Sequence, residues 1–571
     1  CYDDMPCHLK QCFLYCSLFL SDFAVDRRSL VQQWIAEGFV QIRGDAGVEE
    51  VAEEYYDELI GRNLLQPAEA DRHGCVERCT MHDTLRSMAQ VLSHGENLTG
   101  DAQAQRLPSD GDAPFAPRHV SFPRNHLAAI PEEVLKLEGV RTLLLQRNPL
   151  TIGSNIFTRL LYLKVLDLTE TAMEVIPETL GNLLYLRFLN LSQTRIKALP
   201  ETICNLWSLK FLLLRECKAL HVLPKGIEHL KGLRDLDLTG TVIKDAAFRV
   251  GHLRNLTSFR CFTVTSKEAR TVQDTAQDRS GWPLDELKNL CQLRTLHVKR
   301  LEKATSQSKA AEVALHAKTG LRELELSCSG TVKTLQIPTV VRYIEDIFRE
   351  LKPPRGLESL KIANYFGTKF PTWLSSTCLP NLLRLNITGC NFCQSFPLLG
   401  RLPELRSLCI ADSSALKDID AQLMDTDNSH QVPFPKLEDL HLQGLHNLET
   451  WTSIEAGALP SLQALQLESC PKLRCLPDGL RHVTSMTELR IVDMESLEAV
   501  ENIAALRELS VWNTPNLKKI CNLPSLEDLD ICHCPSLETV DNINRLQEVH
   551  IFDHELLEMP SWIQAHASKL C

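Results

Sequence analysis

Most of the chain repeats one short pattern of apolar and polar positions, with leucine at the first, fourth and sixth places. The pattern is clear in residues 163–168 (LKVLDL) and again in residues 186–191 (LRFLNL). With replacements such as Val140 counted, it occurs seventeen times; early copies begin 23 or 24 residues apart and the last begin 20 apart. The copies begin at Val140, Leu163, Leu186, Leu209, Leu233, Leu256, Leu293, Leu321, Leu357, Leu382, Leu405, Leu437, Leu462, Met486, Leu506, Leu526 and Leu546. A repeat of this length predicts a solenoid, because one coil buries its apolar side only against its neighbours.

Each copy predicts a short strand whose leucines face the core while the intervening side chains point outward. Parallel strands of successive coils then line the concave side of a horseshoe, an α/β leucine-rich-repeat solenoid of about seventeen coils over residues 119–571. Three residues after the last strand leucine, a small hydroxyl or thiol is expected to bond backbone groups in the buried turn. These residues are Thr171, Thr194, Cys217, Thr241, Cys390, Cys470 and Cys534.

Residues 1–98 lack the repeat and show helical patterns interrupted by one polar hairpin segment. Asp26 is the expected N-cap of the second helix, and Gly38 its end. Together these elements predict a winged-helix domain, with helices over residues 6–20, 27–37, 48–64 and 82–93 and a hairpin over residues 66–79.

A stretch rich in proline and glycine, residues 99–118, predicts a linker between this domain and the repeats. Residues 118–122 (RHVSF) are expected to begin the repeat domain as an edge strand.

Charge and cysteine content narrow the possible functions. The net charge is −12, and residues 1–98 hold 8 Lys/Arg against 17 Asp/Glu, which argues against nucleic-acid binding even by a winged helix. No apolar run is long enough to cross a bilayer, so no stable membrane insertion is expected. The 21 cysteines follow no disulfide framework and fit a reducing, cytoplasmic compartment. Because the chain begins at Cys1 without an initiating Met, it is expected to be a fragment.

Five blocks carry a resemblance to a known family. Residues 12–19 (CFLYCSLF), 34–40 (WIAEGFV) and 81–83 (MHD) resemble the end of the nucleotide-binding (NB-ARC) module of plant NLR immune receptors of the coiled-coil subclass. Residues 347–354 (IFRELKPP) and 365–374 (YFGTKFPTWL) are similar to a recurring block in the repeats of that subclass. The resemblance covers essentially the whole chain.

The resemblance implies a receptor controlled by ADP and ATP, in which Met81, His82 and Asp83 face the bound nucleotide and His82 approaches its β-phosphate. A helix N-terminus and an imidazole N–H both favour an anionic phosphate. The alternative is that Asp83 only caps the helix while His82 is solvated. The chain has no G-x-x-x-x-G-K-[ST] motif. These 571 residues are therefore expected to bind no nucleotide by themselves.

The outward residues of the strands are the candidate partner surface. The resemblance implies that early coils pack against the nucleotide-binding module and keep it closed, while late coils meet a pathogen effector or a guarded host protein. Aromatic and charged side chains at these positions suit protein recognition, and the alternative is an ordinary solvated sheet. The predicted contact residues are Phe188, Phe211, Arg215, Arg260, Phe262, His297 and Lys299 in early coils, and Glu488, Trp512, Asp530 and Phe552 in late coils.

The remaining constellations give no catalytic or metal site. Cysteine pairs such as Cys532 and Cys534 lack a second pair at zinc-binding spacing, and no catalytic triad or nucleophile elbow has a supporting context. The chain is expected not to be an enzyme, any ATPase activity residing in a preceding P-loop region. The second hypothesis is a non-immune repeat scaffold or ubiquitin-ligase adaptor, which would carry an F-box-like segment in place of residues 81–83.

Overall fold

The computed structural model divides the chain into two compact units, Cys1–Leu293 and Arg294–Cys571. The structure describes residues 2–20, 23–42, 44, 47–70, 76–93, 95–100, 117–122, 130, 132–148, 153, 155–243, 245–246, 248–265, 281–330, 338–393, 396–419, 432–451, 454 and 457–552. Residues 101–116, most of the predicted linker, lie outside this set.

The first unit begins with the predicted winged-helix domain. Its three short strands form an antiparallel sheet in the order β1-β3-β2. Its elements are α1 (Cys7–Cys16), β1 (Val25–Asp26), α2 (Arg27–Glu37), α3 (Val48–Gly61), β2 (Gln66–Ala70), β3 (Val76–Thr80) and α4 (Asp83–Leu92).

Local sequence signals explain the ends of α2. The Asp26 carboxylate accepts a hydrogen bond of 2.8 Å from the backbone N–H of Ser29, as an N-cap does. Gly38 ends the helix with a φ of 93°, a left-handed conformation that glycine adopts without strain. The predictions for both residues are confirmed, while α1 ends at Cys16, before the predicted limit at residue 20.

The rest of the first unit is a parallel sheet of one strand per coil. The first strand, β4, pairs with β5, so the repeat sheet begins at Asn97 and the predicted edge strand at residues 118–122 is an inner strand. The sheet consists of β4 (Asn97–Thr99), β5 (His119–Ser121), β6 (Thr142–Leu144), β7 (Val165–Asp167), β8 (Phe188–Asn190), β9 (Phe211–Leu213), β11 (Asp235–Asp237) and β13 (Ser258–Thr263). The minor strands β10 (Val222–Leu223) and β12 (Asp245–Ala246) pair with each other.

Short helices carry the chain back between the strands of this unit. The α-helices are α5 (Glu132–Leu135) and α6 (Ile156–Arg159), and the 3-10 helices are Glu178–Asn182, Glu201–Asn205, Lys225–His229, Val250–His252 and Leu284–Asn289.

The second unit continues the same plan with longer strands. Its main sheet is β14 (Thr295–Lys299), β15 (Glu323–Ser327), β16 (Ser359–Ala363), β17 (Arg384–Thr388), β18 (Ser407–Ala411), β20 (Asp439–Gln443), β22 (Ala464–Glu468), β23 (Glu488–Val492), β25 (Glu508–Trp512), β27 (Asp528–Cys532) and β29 (Glu548–Ile551). Two smaller parallel sheets pair β19 (Asp418–Ile419) with β21 (Thr450–Trp451), and β24 (Ala499–Glu501) with β26 (Lys519–Cys521) and β28 (Thr539–Asp541). The helices are α7 (Gln307–Glu312) and α8 (Pro338–Glu350), with 3-10 helices Leu301–Lys303, Leu315–Ala317, Leu399–Arg401 and Asp478–His482.

Every one of the seventeen predicted copies contributes a strand to these sheets, and the leucine positions align across them. In the first unit Leu143, Leu166, Leu189 and Leu212 are successive Cα partners and fully buried. This leucine ladder is the core of the solenoid, and the prediction of the repeat fold is confirmed.

Small side chains close the buried turns as predicted. The Thr171 and Thr194 hydroxyls donate to the carbonyls of Leu168 and Leu191, at 2.9 and 2.7 Å. The Cys217 thiol donates to the Leu191 carbonyl at 3.0 Å. These residues satisfy backbone groups and are structural.

Candidate functional site

The two units differ in what covers the outward side of their sheets. In the second unit most outward positions of the strands are partly or fully exposed, whereas all three residues of β5 through β9 and of β11 are buried. The winged-helix domain covers this side. Leu144, Val165, Phe188, Phe211 and Leu213 share one hydrophobic cluster with the core of that domain. Each large side chain buried there stabilises the contact by about 2 kcal/mol.

An ion-paired cluster lies where the first turn of α2 meets β11. The guanidinium of Arg28 donates to both oxygens of Asp235, at 2.6 and 3.0 Å, and to Asp237 at 2.8 Å. It also donates to the Ser258 hydroxyl at 3.2 Å, and the Gln32 amide donates to Asp235. The two aspartate side chains are only 2% and 6% exposed. Carboxylates buried this deeply need a charged partner, and Arg28 supplies it.

Electrostatics favour the ionised form of Asp237 in this cluster. Burial by itself raises the pKa of Asp237, but Arg28 and the hydrogen bonds from Thr239 outweigh burial and leave the pKa below its usual value. The same carboxylates raise the pKa of Arg28 despite its own burial. The cluster is therefore a salt bridge between the winged helix and the repeats. We call Arg28, Asp235 and Asp237 the α2 clamp.

A second polar network surrounds the C-terminal end of α2. The buried Glu37 carboxylate accepts from the Thr142 hydroxyl at 2.5 Å, and the Lys164 ammonium donates to the Glu37 carbonyl at 2.9 Å. Tyr15 donates to Gln33 at 2.9 Å and lies 3.3 Å from the Thr142 oxygen. This network fixes α1 and α2 against β6 and the loop before β7.

His119 completes that network from β5. Its ring lies 5.5 Å from the Tyr15 ring in an edge-on arrangement, and its Nδ1 lies 2.8 Å from Asn97 Oδ1. Burial lowers the pKa of His119, although Glu37, 3.9 Å away, acts in the opposite direction. Burial thus favours the neutral form of the His119 ring.

A cavity of about 430 Å³ opens beside the α2 clamp. Its lining includes two of the predicted contact residues, Arg215 and Arg260, together with Arg27, Arg28 and Glu53. Arg27 is held by Glu53 and by Asp57, the latter at 2.6 and 2.9 Å. The cavity is thus part of the winged-helix boundary and has a mixed charge.

The Met81-His82-Asp83 segment lies at the start of α4. Met81 is buried, whereas His82 and Asp83 are exposed. His82 itself is the N-cap, since its Nδ1 accepts from the backbone N–H of Thr84 at 3.2 Å; the alternative prediction that Asp83 is the cap is wrong. With Nδ1 accepting, the proton of the neutral ring is on Nε2, which is left as a donor toward an anion.

The other predicted early contact residues are placed differently. Phe262 is fully buried, 5.6 Å from the Phe259 ring and 5.7 Å from the Trp282 ring, so the prediction that it points outward is wrong. The left-handed backbone at Cys261 (φ 76°) breaks the alternation of the strand and turns Phe262 into the core. His297 lies 2.8 Å from Glu323 in the second unit, and Lys299 is half-buried.

The predicted late contact residues all lie on the outward side of the second unit's sheet. Trp512 and Phe552 are 38% and 50% exposed. Glu488 and Asp530 are partly exposed, and Asp530 accepts from the Ser510 hydroxyl at 3.2 Å. A partner role for these four residues stays a prediction.

Sequence reasoning missed the residues that join the two domains: Arg28, Glu37, Asp235 and Asp237. A signal was present, because residues 235–237 (DLD) place two carboxylates on the outward side of one strand. What could not be read from that pattern is which cation lies opposite.

Three family models match the chain. The disease resistance protein winged helix domain matches residues 18–89, a leucine-rich repeat region matches residues 132–279, and the R13L1/DRL21 leucine-rich repeats match residues 284–413. Together they follow the order of the winged helix and the repeats in the structure.

Curated relatives agree with the family models. A protein of Arabidopsis thaliana named for disease resistance is 31% identical over 540 residues, which is 85% of this chain and 34% of the relative. Disease resistance RPP13-like protein 1 of the same plant is 29% identical, covering 85% of this chain and 46% of its own length. Disease resistance protein RGA2 of Solanum bulbocastanum is 27% identical, and the match covers 85% of this chain and 46% of the length of that relative. The chain spans about a third to a half of these relatives.

Proposed function

Because this chain has the winged-helix domain and the leucine-rich repeats of plant disease-resistance proteins, we propose that it is the regulatory and recognition part of an immune receptor. In this proposal the repeats bind a pathogen effector or a guarded host protein. Before binding, the early coils hold the winged helix in the inactive position. Ligand binding then shifts the population toward an active state.

The α2 clamp is the observation that carries the restraint part of the proposal. Arg28 of the winged helix is bonded to Asp235 and Asp237 of the repeats, and the surrounding apolar contact is fully buried. Breaking one side of a buried ion pair is strongly unfavourable. A restraint of this kind keeps the domain in place until a larger free-energy change acts on it.

The nucleotide part of the proposal rests on Met81, His82 and Asp83. His82 is exposed at the N-terminus of a ten-residue helix, with Nε2 available as a donor. These features fit a phosphate group of ADP or ATP in the intact receptor. His82 would then orient the phosphate, and the buried Met81 would hold the turn in place.

Localisation follows from the same role. Among the described residues, no helix has both the length and the apolar character needed to cross a membrane. We place the receptor in the cytoplasm, where effectors delivered into the cell are met. Catalysis is no part of the proposed role of these residues.

A charge-swap experiment in the full-length receptor tests the proposal. Arg28→Glu removes the clamp and is expected to trigger defence signalling without any effector. Adding Asp235→Arg to that variant re-forms an ion pair of opposite orientation and is expected to restore the resting state. The matched control is Lys197→Glu, at a residue that is 73% exposed; this variant should not signal in the absence of the effector.

The amount of protein that accumulates is measured for each variant, so that a lack of signalling caused by misfolding is recognised. The proposal fails if Arg28→Glu accumulates normally and remains fully dependent on the effector. It also fails if the swapped pair signals as strongly as the single variant.

A further inference from the structure

The last strands of the repeat sheet hold a row of carboxylates in lateral register. Glu488, Glu508, Asp528 and Glu548 are Cα partners of one another along β23, β25, β27 and β29. Adjacent strands lie about 4.8 Å apart, so the row is roughly 15 Å long. Like charges directly opposite each other destabilise a sheet. Sheet stability therefore does not explain this row.

An exposed aromatic pair lies on the same side of the sheet. The rings of Trp512 and Phe552 are 5.9 Å apart, and both are substantially exposed. His550 stacks on Phe552 at 6.2 Å, and the Arg490 guanidinium lies 5.9 Å from the Trp512 ring centre. Exposed neighbouring aromatics on a protein surface commonly anchor a partner.

Earlier strands of this unit carry basic and acidic outward side chains in similar numbers. Examples in contact are His297 with Glu323 at 2.8 Å and Lys361 with Glu325 at 3.7 Å. Along the last four strands the outward positions hold five carboxylates against Arg490 and His550, and His550 lies 3.4 Å from Glu548. Burial and the neighbouring carboxylates Glu548, Glu527 and Asp530 raise the pKa of Asp528, a sign of a negative local potential.

We propose that this sheet face binds an extended, basic polypeptide segment of the receptor's protein partner. Lysine or arginine side chains of the segment meet the carboxylate row, and an apolar side chain packs on Trp512 and Phe552. The proposal rests on the proposed recognition role of the repeats and names the chemistry of the partner.

The size and sign of the surface favour a peptide over other cations. In an extended chain, side chains on one side recur about every 7 Å, so two or three basic residues match a row of roughly 15 Å. A single metal ion needs several ligands around one point, and the described part of the chain has no such grouping of His, Cys, Asp and Glu. Nucleic acid would be repelled by the carboxylates.

Binding of a defined peptide to the whole chain tests the inference. The probe is an eleven-residue synthetic peptide that alternates lysine with serine and has one central tryptophan. Its partner probe has glutamate in place of every lysine. Fluorescence anisotropy is expected to show saturable binding of the lysine peptide alone, weakening strongly between about 0.05 and 0.5 M salt.

Matched variants locate the binding site. Glu508→Gln combined with Asp528→Asn should weaken binding about tenfold, since each exposed ion pair contributes up to about 1 kcal/mol. Trp512→Ala should weaken it by a similar factor through loss of the aromatic contact. The control, Glu495→Gln combined with Glu538→Gln, removes the same charge at exposed positions outside the main sheet and should change affinity less than twofold.

Stability separates loss of binding from loss of folding. Because the carboxylate row is self-repulsive, the Glu508/Asp528 variant is expected to melt at the same temperature or higher. Equal weakening by the control pair, or unchanged affinity in both sheet-face variants, overturns the inference. The α2 clamp experiment is independent of these residues, so failure of peptide binding leaves the restraint proposal standing and the reverse also holds.

Discussion

Arg28 pairs with two carboxylates that the alternation of side chains along the strand places on the same side of the sheet. Asp235 and Asp237 are two residues apart on β11, so both point to the outward side of the sheet, where the winged helix buries them. Like charges at that spacing are unfavourable without a cation between them. The planar guanidinium reaches both at once, with bonds of 2.6 and 2.8 Å, which a lysine ammonium cannot do as well.

Replacing Arg28 should therefore destabilise the first unit. We expect Arg28→Ala to lower the free energy of unfolding by about 3 kcal/mol, because two buried carboxylates lose their partner. The free energy of unfolding of the Arg28→Lys variant should lie between the values for wild type and for the alanine variant. Urea titration of the intact chain measures the change. The control is Arg249→Ala, at a residue that is 72% exposed; its free energy of unfolding should lie within about 0.5 kcal/mol of the wild-type value.

The pH dependence of the unfolding free energy tests the same cluster independently. The pKa of Asp237 is below its ordinary value, so the stabilisation is complete above the unfolded-state pKa of about 4 and is lost as the pH falls through the folded-state pKa. The alanine variant should lose less stability on acidification than wild type does. Equal acid sensitivity in both proteins would contradict the assignment of Arg28 as the partner of Asp237.

At the scale of elements, α1 and α2 are fixed to β5 and β6 by a buried polar network. His119 of β5 packs edge-on against Tyr15 of α1, and Thr142 of β6 donates to Glu37 of α2. Such a network stabilises the contact only if every member keeps its hydrogen bonds. Protonating a buried imidazole is therefore unfavourable to this packing.

Mild acid should weaken this contact through His119. Burial lowers the pKa of His119, opposed by Glu37 and Glu96 and assisted by Arg141 and Arg118. As the pH falls below about 6.5, the unfolded chain binds a proton that the native chain does not, so stability decreases.

Hydrogen exchange of the helix α2 amides at pH 7.5 and 5.5 measures this loss. His119→Gln keeps a side-chain donor for Asn97 but does not titrate, and its protection should change less between the two pH values. His221→Gln, at a partly exposed histidine outside the network, serves as the control and should behave like wild type. A wild-type protein whose α2 protection is the same at both pH values would disprove the role of His119.

At the scale of the whole molecule, each of the two units contains stacked coils, and the first unit also contains the winged-helix domain. Within each unit the inner repeat strands pair with the strands before and after them, as β25 does with β23 and β27. In such an array stability is a sum of nearest-neighbour contributions. A core defect is thus expected to remain local.

Leu509→Ala tests this property in the second unit. Leu509 is 1% exposed, and its truncation should cost about 3 kcal/mol through lost burial and a cavity. Hydrogen exchange should show reduced protection in β23, β25 and β27 and unchanged protection in α2 and α3. Thr487→Ala, at an exposed position beside the same strands, should have no comparable effect. Uniform loss of protection along the chain would contradict the local model.

Sequence by itself determined the local structure of this protein. The repeating leucines place seventeen strands and their ladder of buried contacts, and Asp26 and Gly38 mark the ends of α2. The blocks at residues 12–19, 34–40 and 81–83 indicated the family whose winged-helix model matches residues 18–89. All of these signals act within one coil or one helix, where a few neighbouring residues decide the conformation.

Tertiary structure decided what lies against the outward side of the first coils. Arg28 meets Asp235 across more than two hundred residues, and Phe188 and Phe211 are covered by a domain that precedes the repeats. No periodicity encodes such a pairing, because it depends on how separate elements pack. For the same reason Phe262, outward by its position in the pattern, lies in the core beside Trp282.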